Sequence, residues 1–211
     1  TPPPTVTPPP TATATPDPTA APPAVTIAEA RLLPDGAAAR LVGTLTTDLG
    51  ALEDGRVGFV QDGTAGIAVY LDTALGMLLP AGANVRLDGV LDERYGARTL
   101  RVAAATGILD LGSGAMPAPT DIETGAVGEI LEGRRVRVMG MTSGAPADYA
   151  DGIGILVDDG TGPVRVIVGP AALGGASLPS GTLVGIIGPV GQRDSSGTGT
   201  SGYRIHATQP G

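Results

Sequence analysis

The chain has no cysteine, no tryptophan and no lysine, a single histidine, and only five aromatic rings: Phe59, Tyr70, Tyr95, Tyr149 and Tyr203. Without cysteine there are no disulfides, thiolate metal sites or thiol nucleophiles. The absence says nothing about redox compartment, because secreted proteins need not use disulfides. No apolar run approaches the roughly 18 residues of a membrane-spanning helix, so no bilayer span is expected. The formal net charge is -8, and all 13 cations are arginines, scattered singly except for Arg134-Arg135. Proteins that hold single strands of nucleic acid stack bases on aromatic rings and track the phosphates with a basic groove. This composition is poor in both, unless folding gathers its few rings and cations on one face.

What the chain does contain, it contains twice. Val60-Gln61-Asp62-Gly63-Thr64-Ala65-Gly66-Ile67-Ala68-Val69 returns as Val157-Asp158-Asp159-Gly160-Thr161-Gly162-Pro163-Val164-Arg165-Val166, a shift of 97 residues. Gly36 and Gly43 match Gly133 and Gly140 at that shift, while Gly82 and Gly89 match Gly181 and Gly188 at a shift of 99. A period this long exceeds that of solenoid units, which need neighbours to bury a core, so each copy is expected to fold by itself.

Abundant glycine with many Val, Leu and Ile predicts short strands joined by tight turns, an all-β class. The first copy reads as a helical turn or short strand at Ile27 to Leu33, then strands at Ala39 to Leu45, Arg56 to Gln61, Ile67 to Leu71, Asn84 to Leu91 and Arg98 to Val102. A helical turn is expected at Ala74 to Leu79, before Pro80. The second copy repeats the order at Arg135 to Met141, Ile153 to Asp158, Val164 to Val168, Thr182 to Val190 and Tyr203 to Ala207. Residues 1–24 read as an extended Pro/Thr-rich arm: Thr1 to Pro23 hold ten of the 20 prolines, seven threonines and one charge. Such a stretch cannot bury enough apolar surface to offset its ordering entropy and favours polyproline II. Stalks of this composition are typical of proteins outside the cell, where the threonines carry sugars. Domain 1 is assigned to 25–109, a linker to 110–120, domain 2 to 121–208 and a tail to 209–211. The apolar residues Ile108, Leu109, Leu111 and Met116 predict that the two domains touch.

Five strands per copy, a hairpin written apolar-Gln/Asp-Asp-Gly-Thr-Gly-apolar-x-Val, and a mid-strand glycine in the first strand resemble the OB-fold. The likeness is to OB-like domains of secreted bacterial multidomain proteins and, more distantly, to those of the replication protein A and anticodon-binding type. It covers Val25 to Leu109 and Asp121 to Thr208, and implies two tandem five-stranded Greek-key barrels. Gly43 and Gly140 would let the long first strand bend between sheet layers. Asp62-Gly63 and Asp159-Gly160 would form tight turns at positive φ. The resemblance implies a ligand face on strands 2 and 3 with their flanking loops. On this chain that face would include Arg56, Phe59, Gln61, Tyr70 and Tyr95 in the first copy and Tyr149, Arg165 and Tyr203 in the second. At the remaining strand 2 and 3 positions the second copy offers Ile153, Ile155, Val164 and Val166 rather than rings.

Enzymatic and metal motifs are absent from the sequence, and no cofactor is expected. The hairpin turns of Asp62 and Asp159 are too short to supply the six to eight oxygens of a Ca²⁺ site. Asp148 and Asp151, flanking Tyr149, read as a solvated loop. His206, in a terminal strand, reads as an edge-strand polar residue. Ser195 to Gly202 reads as a flexible connector or a loop that closes over a ligand.

Three functions follow as expectations. The first is a non-catalytic extracellular structural protein, with its signal peptide already removed, that assembles with itself head to tail into a surface filament through the N-terminal arm. Low charge, small residues and scarce aromatics favour it. The second is an extracellular module binding single-stranded nucleic acid or oligosaccharide. The third is an accessory domain of a longer hydrolase.

Overall fold

A computed structural model describes residues 21, 22 and 24–210. The arm lies almost wholly outside these, and with it the expectation that it reaches into a neighbouring subunit.

The first domain contains β1 (Ala38–Leu45), β2 (Val57–Gln61), β3 (Gly66–Leu71), β4 (Ala83–Arg94), β5 (Ala97–Val102) and β6 (Ile108–Ser113). They run β1-β2-β3-β5-β4-β6, and β1 also pairs with β4, so five strands close on themselves. β3 and β5 are parallel and the other pairs antiparallel. The second domain has β7 (Thr120–Asp121), β8 (Arg135–Tyr149), β9 (Gly152–Asp158), β10 (Val164–Val168), β11 (Leu183–Gln192) and β12 (Tyr203–Ala207). Its order is β11-β12-β10-β9-β8-β7 with closure between β11 and β8, and β10 is parallel to β12. These are two tandem OB-like barrels. Among the described residues no helix is long and apolar enough to cross a membrane.

Alternation along the strands fills each barrel. Leu41, Leu45, Val60, Ile67, Val69, Leu87, Leu91 and Leu100 form the first core and Val136, Val138, Val157, Val166, Val190 and Ile205 the second. Each buried side chain of this size contributes about 1.5–3 kcal/mol. The mid-strand glycines sit where expected, at the step where the first strand changes partner. Thr44 pairs with both Asn84 and Gln61, and Met141 with both Leu183 and Asp158. A Cβ on Gly43 would lie 2.8 Å from the Gln61 carbonyl oxygen, and one on Gly140 2.8 Å from that of Asp158.

The duplicated aspartates do more than turn the chain. Thr26 caps a four-residue helix α1 (Ile27–Ala30) through a reciprocal capping box with Glu29. The Asp62 carboxylate accepts from the Ile27 N–H at 2.8 Å, and from the Thr64 N–H, the Thr64 hydroxyl and the Ala65 N–H in its own turn. Ala28 N–H donates to the Thr64 hydroxyl. In the second copy Asp159 accepts from the Thr124 N–H and hydroxyl and from those of Thr161, while Gly125 N–H donates to the Thr161 hydroxyl. The same lock is built at the same shift, fastening each domain's leading turn to its β2–β3 or β9–β10 hairpin. Burial alone would raise the Asp62 carboxyl, but these donors outweigh it and hold it below the ordinary range. Asp159 is likewise held below the ordinary range, through its bonds to Thr161 and Thr124.

Several expectations are corrected. Gly160 has φ +99°, whereas Gly63 does not enter the left-handed region, although the aspartate before it accepts from the turn in both copies. Ala74 to Leu79 is not helical; Gly76 interrupts it, and the turn before the fourth strand is helical only in the second copy, as α2 (Pro170–Leu173) with proline in its first turn. β8 runs far past Met141, to Tyr149, pairing with β9 across an irregularity between Ser143 and Ala147. Ile108 to Ser113, of which 110–113 lie in the stretch assigned to the linker, is a sixth strand on β4. His206 is not on an edge: β12 lies between β10 and β11.

The domains are docked. Glu132, 4% exposed, accepts from the Arg31 guanidinium at 2.8 Å and the Arg98 N–H at 3.0 Å. Gln61 Oε1 accepts from the Arg135 N–H at 2.8 Å, Asp151 from the Glu53 N–H at 2.8 Å, and the Tyr95 carbonyl from the Asp194 N–H at 2.7 Å.

Candidate binding cleft between the two barrels

In β2 and β3 the inward side chains Val60, Ile67 and Val69 belong to the core, which leaves Val57, Phe59, Ala68 and Tyr70 facing out. This outer cluster is covered by the second domain: Phe59 is 3% exposed and its ring centroid lies 5.6 Å from that of His206. Part of the first copy's expected ligand face is therefore occupied by domain packing, Phe59 and Gln61 included. In β9 and β10 the residues read as replacing rings, Ile153, Ile155, Val164 and Val166, all point into the core; the outer positions are Gly152, Gly154, Leu156, Arg165 and Ile167. The ring of Tyr149 lies over Gly154, where a Cβ would meet its Cδ2 at 2.6 Å, and the Tyr149 hydroxyl accepts from Arg165. The glycine makes room for the ring.

What remains open of the two faces meets in a cleft of about 430 Å³. The first domain contributes Glu53 and Asp54 from the loop between β1 and β2, Arg56 and Tyr70, and Arg94 and Tyr95 from the turn between β4 and β5. The second contributes Tyr149, Ala150 and Asp151 from the β8–β9 tip, Ile167, Arg204 and His206, and Arg193 from the loop between β11 and β12. Three of the four tyrosines in the chain line this one cavity. Arg94 lies 3.7 Å from the centre of the Tyr70 ring and 5.5 Å from that of Tyr95, Arg193 4.1 Å from that of Tyr95, and Arg165 5.5 Å from that of Tyr149.

The backbone is strained at the same place. Among the described residues the non-glycine positions with positive φ are Glu53 (48°), Asp54 (55°) and Tyr95 (53°), and all three line the cleft. Arg94 pairs with Ala97 across Tyr95-Gly96, a two-residue hairpin whose central residues both require positive φ. Asparagine suits the first of these positions; tyrosine there costs about 1 kcal/mol and projects a ring into the cavity.

The electrostatics are divided. Glu53 binds Arg94 at 2.7 Å and Arg193 at 3.3 Å. Arg56, Arg165 and Arg204 have no carboxylate partner among the described residues. Arg56 donates to the Asp72 carbonyl at 2.6 Å, and Arg204 to the carbonyls of Gly202 and Arg193 at 3.3 Å. Burial, then repulsion from Arg165 and Arg193, lowers the Arg204 pKa. An anion bound here would relieve that repulsion. His206 is pushed down to about 3, chiefly by burial and then by Arg204, and its Nδ1 is buried without a partner. Asp151 is raised by burial first.

The loop after β11 is not a loose connector. Asp194 accepts from Ser196 N–H and hydroxyl, Gly199 N–H and Ser201 hydroxyl, while the Gln192 side chain donates to the carbonyls of Gly199 and Ser201. These bonds hold Asp194 below the usual carboxylate range and shape the segment that carries Arg193.

Of the sequence-predicted face, Arg56, Tyr70, Tyr95 and Tyr149 come together in the cleft, with Arg165 at its rim. Phe59 and Gln61 lie in the domain interface, and Tyr203 donates to Glu129 away from the cleft. Sequence reasoning missed Glu53, Asp54, Arg94, Arg193 and Arg204; for Glu53 and Asp54 the signal was the Asp54-Gly55 dipeptide, an X-Gly turn beside a strand, and the three arginines carried no local signal.

No family model matches the chain, and no curated protein does. Among solved structures it is similar to OBody AM3L09 bound to hen egg-white lysozyme, at 26% identity over 43% of this chain and 90% of that one, with a TM-score of 0.35. It is similar to the p204 HINb domain at 16% identity over 82% and 94%, TM-score 0.36. A deletion mutant of the single-stranded DNA binding protein from Thermus aquaticus matches at 16% identity over 81% and 90%, TM-score 0.27.

Proposed function

We propose that this chain is a non-catalytic, extracellular binding module whose interdomain cleft holds a short stretch of single-stranded nucleic acid. The observation that carries the reading is the convergence of three tyrosine rings and three carboxylate-free guanidiniums where the strand 2–3 faces of both barrels meet. Bases would stack on Tyr70, Tyr95 and Tyr149; phosphates would be taken by Arg56, Arg165 and Arg204, whose planar forks match phosphate oxygens two at a time. Cations that are all guanidinium favour a phosphate ligand over a neutral oligosaccharide. The non-catalytic reading is supported by His206, which is deprotonated at neutral pH and touches no carboxylate. The extracellular reading is supported by the Pro/Thr-rich arm. Filament assembly through that arm has no observation among the described residues behind it, and the cleft supports binding in its place.

With a net charge of -8 the far field repels a polyanion, so affinity must come from contacts inside the cleft. Three phosphate contacts give a slope of log K against log salt of about −2. Anisotropy titrations of labelled single-stranded DNA over a salt series measure it, and Arg165→Ala should make the slope shallower by about 0.7. Absence of binding at low salt refutes the proposal; salt-independent binding of neutral glycans instead would assign the cleft to oligosaccharide.

A further inference from the structure

The turn between β1 and β2 enters the cleft in a conformation that side chains avoid. Glu53, Asp54 and Gly55 have φ of 48°, 55° and 84°, three left-handed residues in succession, closed at the base by the Leu52–Val57 bridge. The Arg56 N–H donates to the Leu52 carbonyl at 3.0 Å. From the second barrel, Asp151 Oδ1 accepts from the Glu53 N–H at 2.8 Å. The turn is thus held from both domains, and the residue it presents to the cavity at its tip is Asp54.

The carboxylates of the cleft differ in what they already hold. Glu53 is spent on Arg94 and Arg193, and Asp151 gives one oxygen to the Glu53 N–H. Asp54 is exposed, and among the described residues its side chain makes no hydrogen bond or ion pair. Burial raises Asp151 first, and the charges of Glu53 and Asp54 add to the rise, which sets all three close together. A bare carboxylate repels phosphate, so Asp54 works against the guanidiniums around it unless the ligand brings it a donor. An ionised carboxylate can only accept.

We infer that Asp54 is a specificity-determining residue that reads a guanine base in the cleft, an inference that rests on the nucleic-acid reading and names the nucleotide. The other contacts cannot choose. Every base has a face to stack on a tyrosine, and every nucleotide carries the phosphate that an arginine takes. Arg94 and Arg193, whose forks would suit guanine O6 and N7, are engaged by Glu53. Selection falls to Asp54. A single strand leaves the Watson–Crick edge free, and on that edge guanine alone places two donors side by side, N1–H and N2–H, for the two oxygens of one carboxylate. Cytosine and adenine each offer one amino group beside an acceptor nitrogen. Thymine offers one N–H between two carbonyls, which the carboxylate repels.

Anisotropy titrations of the full chain at low salt compare a short thymidine oligonucleotide with the same strand carrying one central guanine, or one central hypoxanthine, which keeps N1–H and lacks the amino group. The parent should bind the guanine strand at least about fivefold more tightly than the thymidine strand, with the hypoxanthine strand between them. Asp54→Asn suits the left-handed backbone and keeps the fold. It should erase most of the guanine advantage, while affinity for the thymidine strand holds or rises because a repelling charge has gone. Equal binding of the three strands by the parent overturns the inference and leaves the cleft reading standing, as does a guanine preference undiminished in Asp54→Asn. Loss of affinity for all three strands alike in Asp54→Asn would make Asp54 a residue that only shapes the turn, and overturns the inference too. Absence of binding by every strand refutes the cleft reading itself, and the inference with it.

Discussion

The cleft exists only because the barrels dock, and one residue tests the docking with little effect on either barrel alone. Gly66 opens β3 opposite Gln61, outside the left-handed region, so alanine suits the strand. A Cβ there would lie 2.8 Å from the Arg134 backbone nitrogen and press on the Gly133 carbonyl of the other domain. Every atom it meets is backbone, so no rotamer relieves the contact and the interface must open. Nearby stand the bonds of Glu132 to Arg31 and Arg98 and of Gln61 to Arg135, which weaken together. Overpacking of this kind costs about 1–3 kcal/mol. For a unit of this size that lowers the melting temperature by about 2–12 °C. Gly63→Ala is the control, because nothing lies within 4 Å of its Cβ. Calorimetry of Gly66→Ala should show the loss, with the transition broadening or splitting as the barrels uncouple, and oligonucleotide affinity should fall with it. If Gly66→Ala melts and binds like the parent while Gly63→Ala does the same, the docking described here is wrong.

Tyr95→Asn should relieve about 1 kcal/mol of left-handed strain and lose the cation–π contact with Arg193, about 0.5–1 kcal/mol, with the longer one to Arg94, leaving stability nearly unchanged. Oligonucleotide affinity should nevertheless drop about 5- to 150-fold, the worth of one stacking ring, as read by anisotropy. For His206 the folded pKa is depressed, so the unfolded chain takes up a proton first as pH falls, and stability is lost progressively from about 6.5 toward about 3. Urea denaturation across that window should show a shallower pH dependence in His206→Leu than in the parent. Asp62→Ala and Asp159→Ala remove equivalent locks and should lower the melting temperature similarly, with the deficit shrinking in acid. The depressed carboxyls stabilise the fold above the unfolded pKa, and that contribution fades as pH falls through the folded value. A deficit that persists unchanged in acid would assign the loss to packing alone.

Much of the fold was legible because the chain repeats itself. Asp62 and Asp159 mark the same hairpin, Gly43 and Gly140 the same bend, and two weak strand patterns at one spacing reinforce each other. The extension of β8 was hidden because Thr142 to Ala147 has no apolar alternation; its pairing to β9 is made by backbone, which leaves no periodic trace. β6 was hidden by the glycine and proline around it, although Leu109 and Leu111 alternate with Asp110 and Gly112. The site was half legible. Scarcity singled out the tyrosines, but that Phe59 would be spent on domain packing while Tyr70, Tyr95 and Tyr149 stayed open depends on how the barrels dock, which no local pattern encodes. Arg94, Arg193 and Arg204 became visible only when two distant loops and a strand met.

The most direct test of the central claim is a backbone and side-chain chemical-shift map of the protein titrated with short single-stranded DNA at low salt. Binding in the cleft should move Tyr70, Tyr95 and Tyr149 together with the Arg56, Arg165 and Arg204 guanidinium resonances, from both barrels at once and with one affinity. Shifts confined to one barrel, or scattered over the surface without those residues, would contradict it.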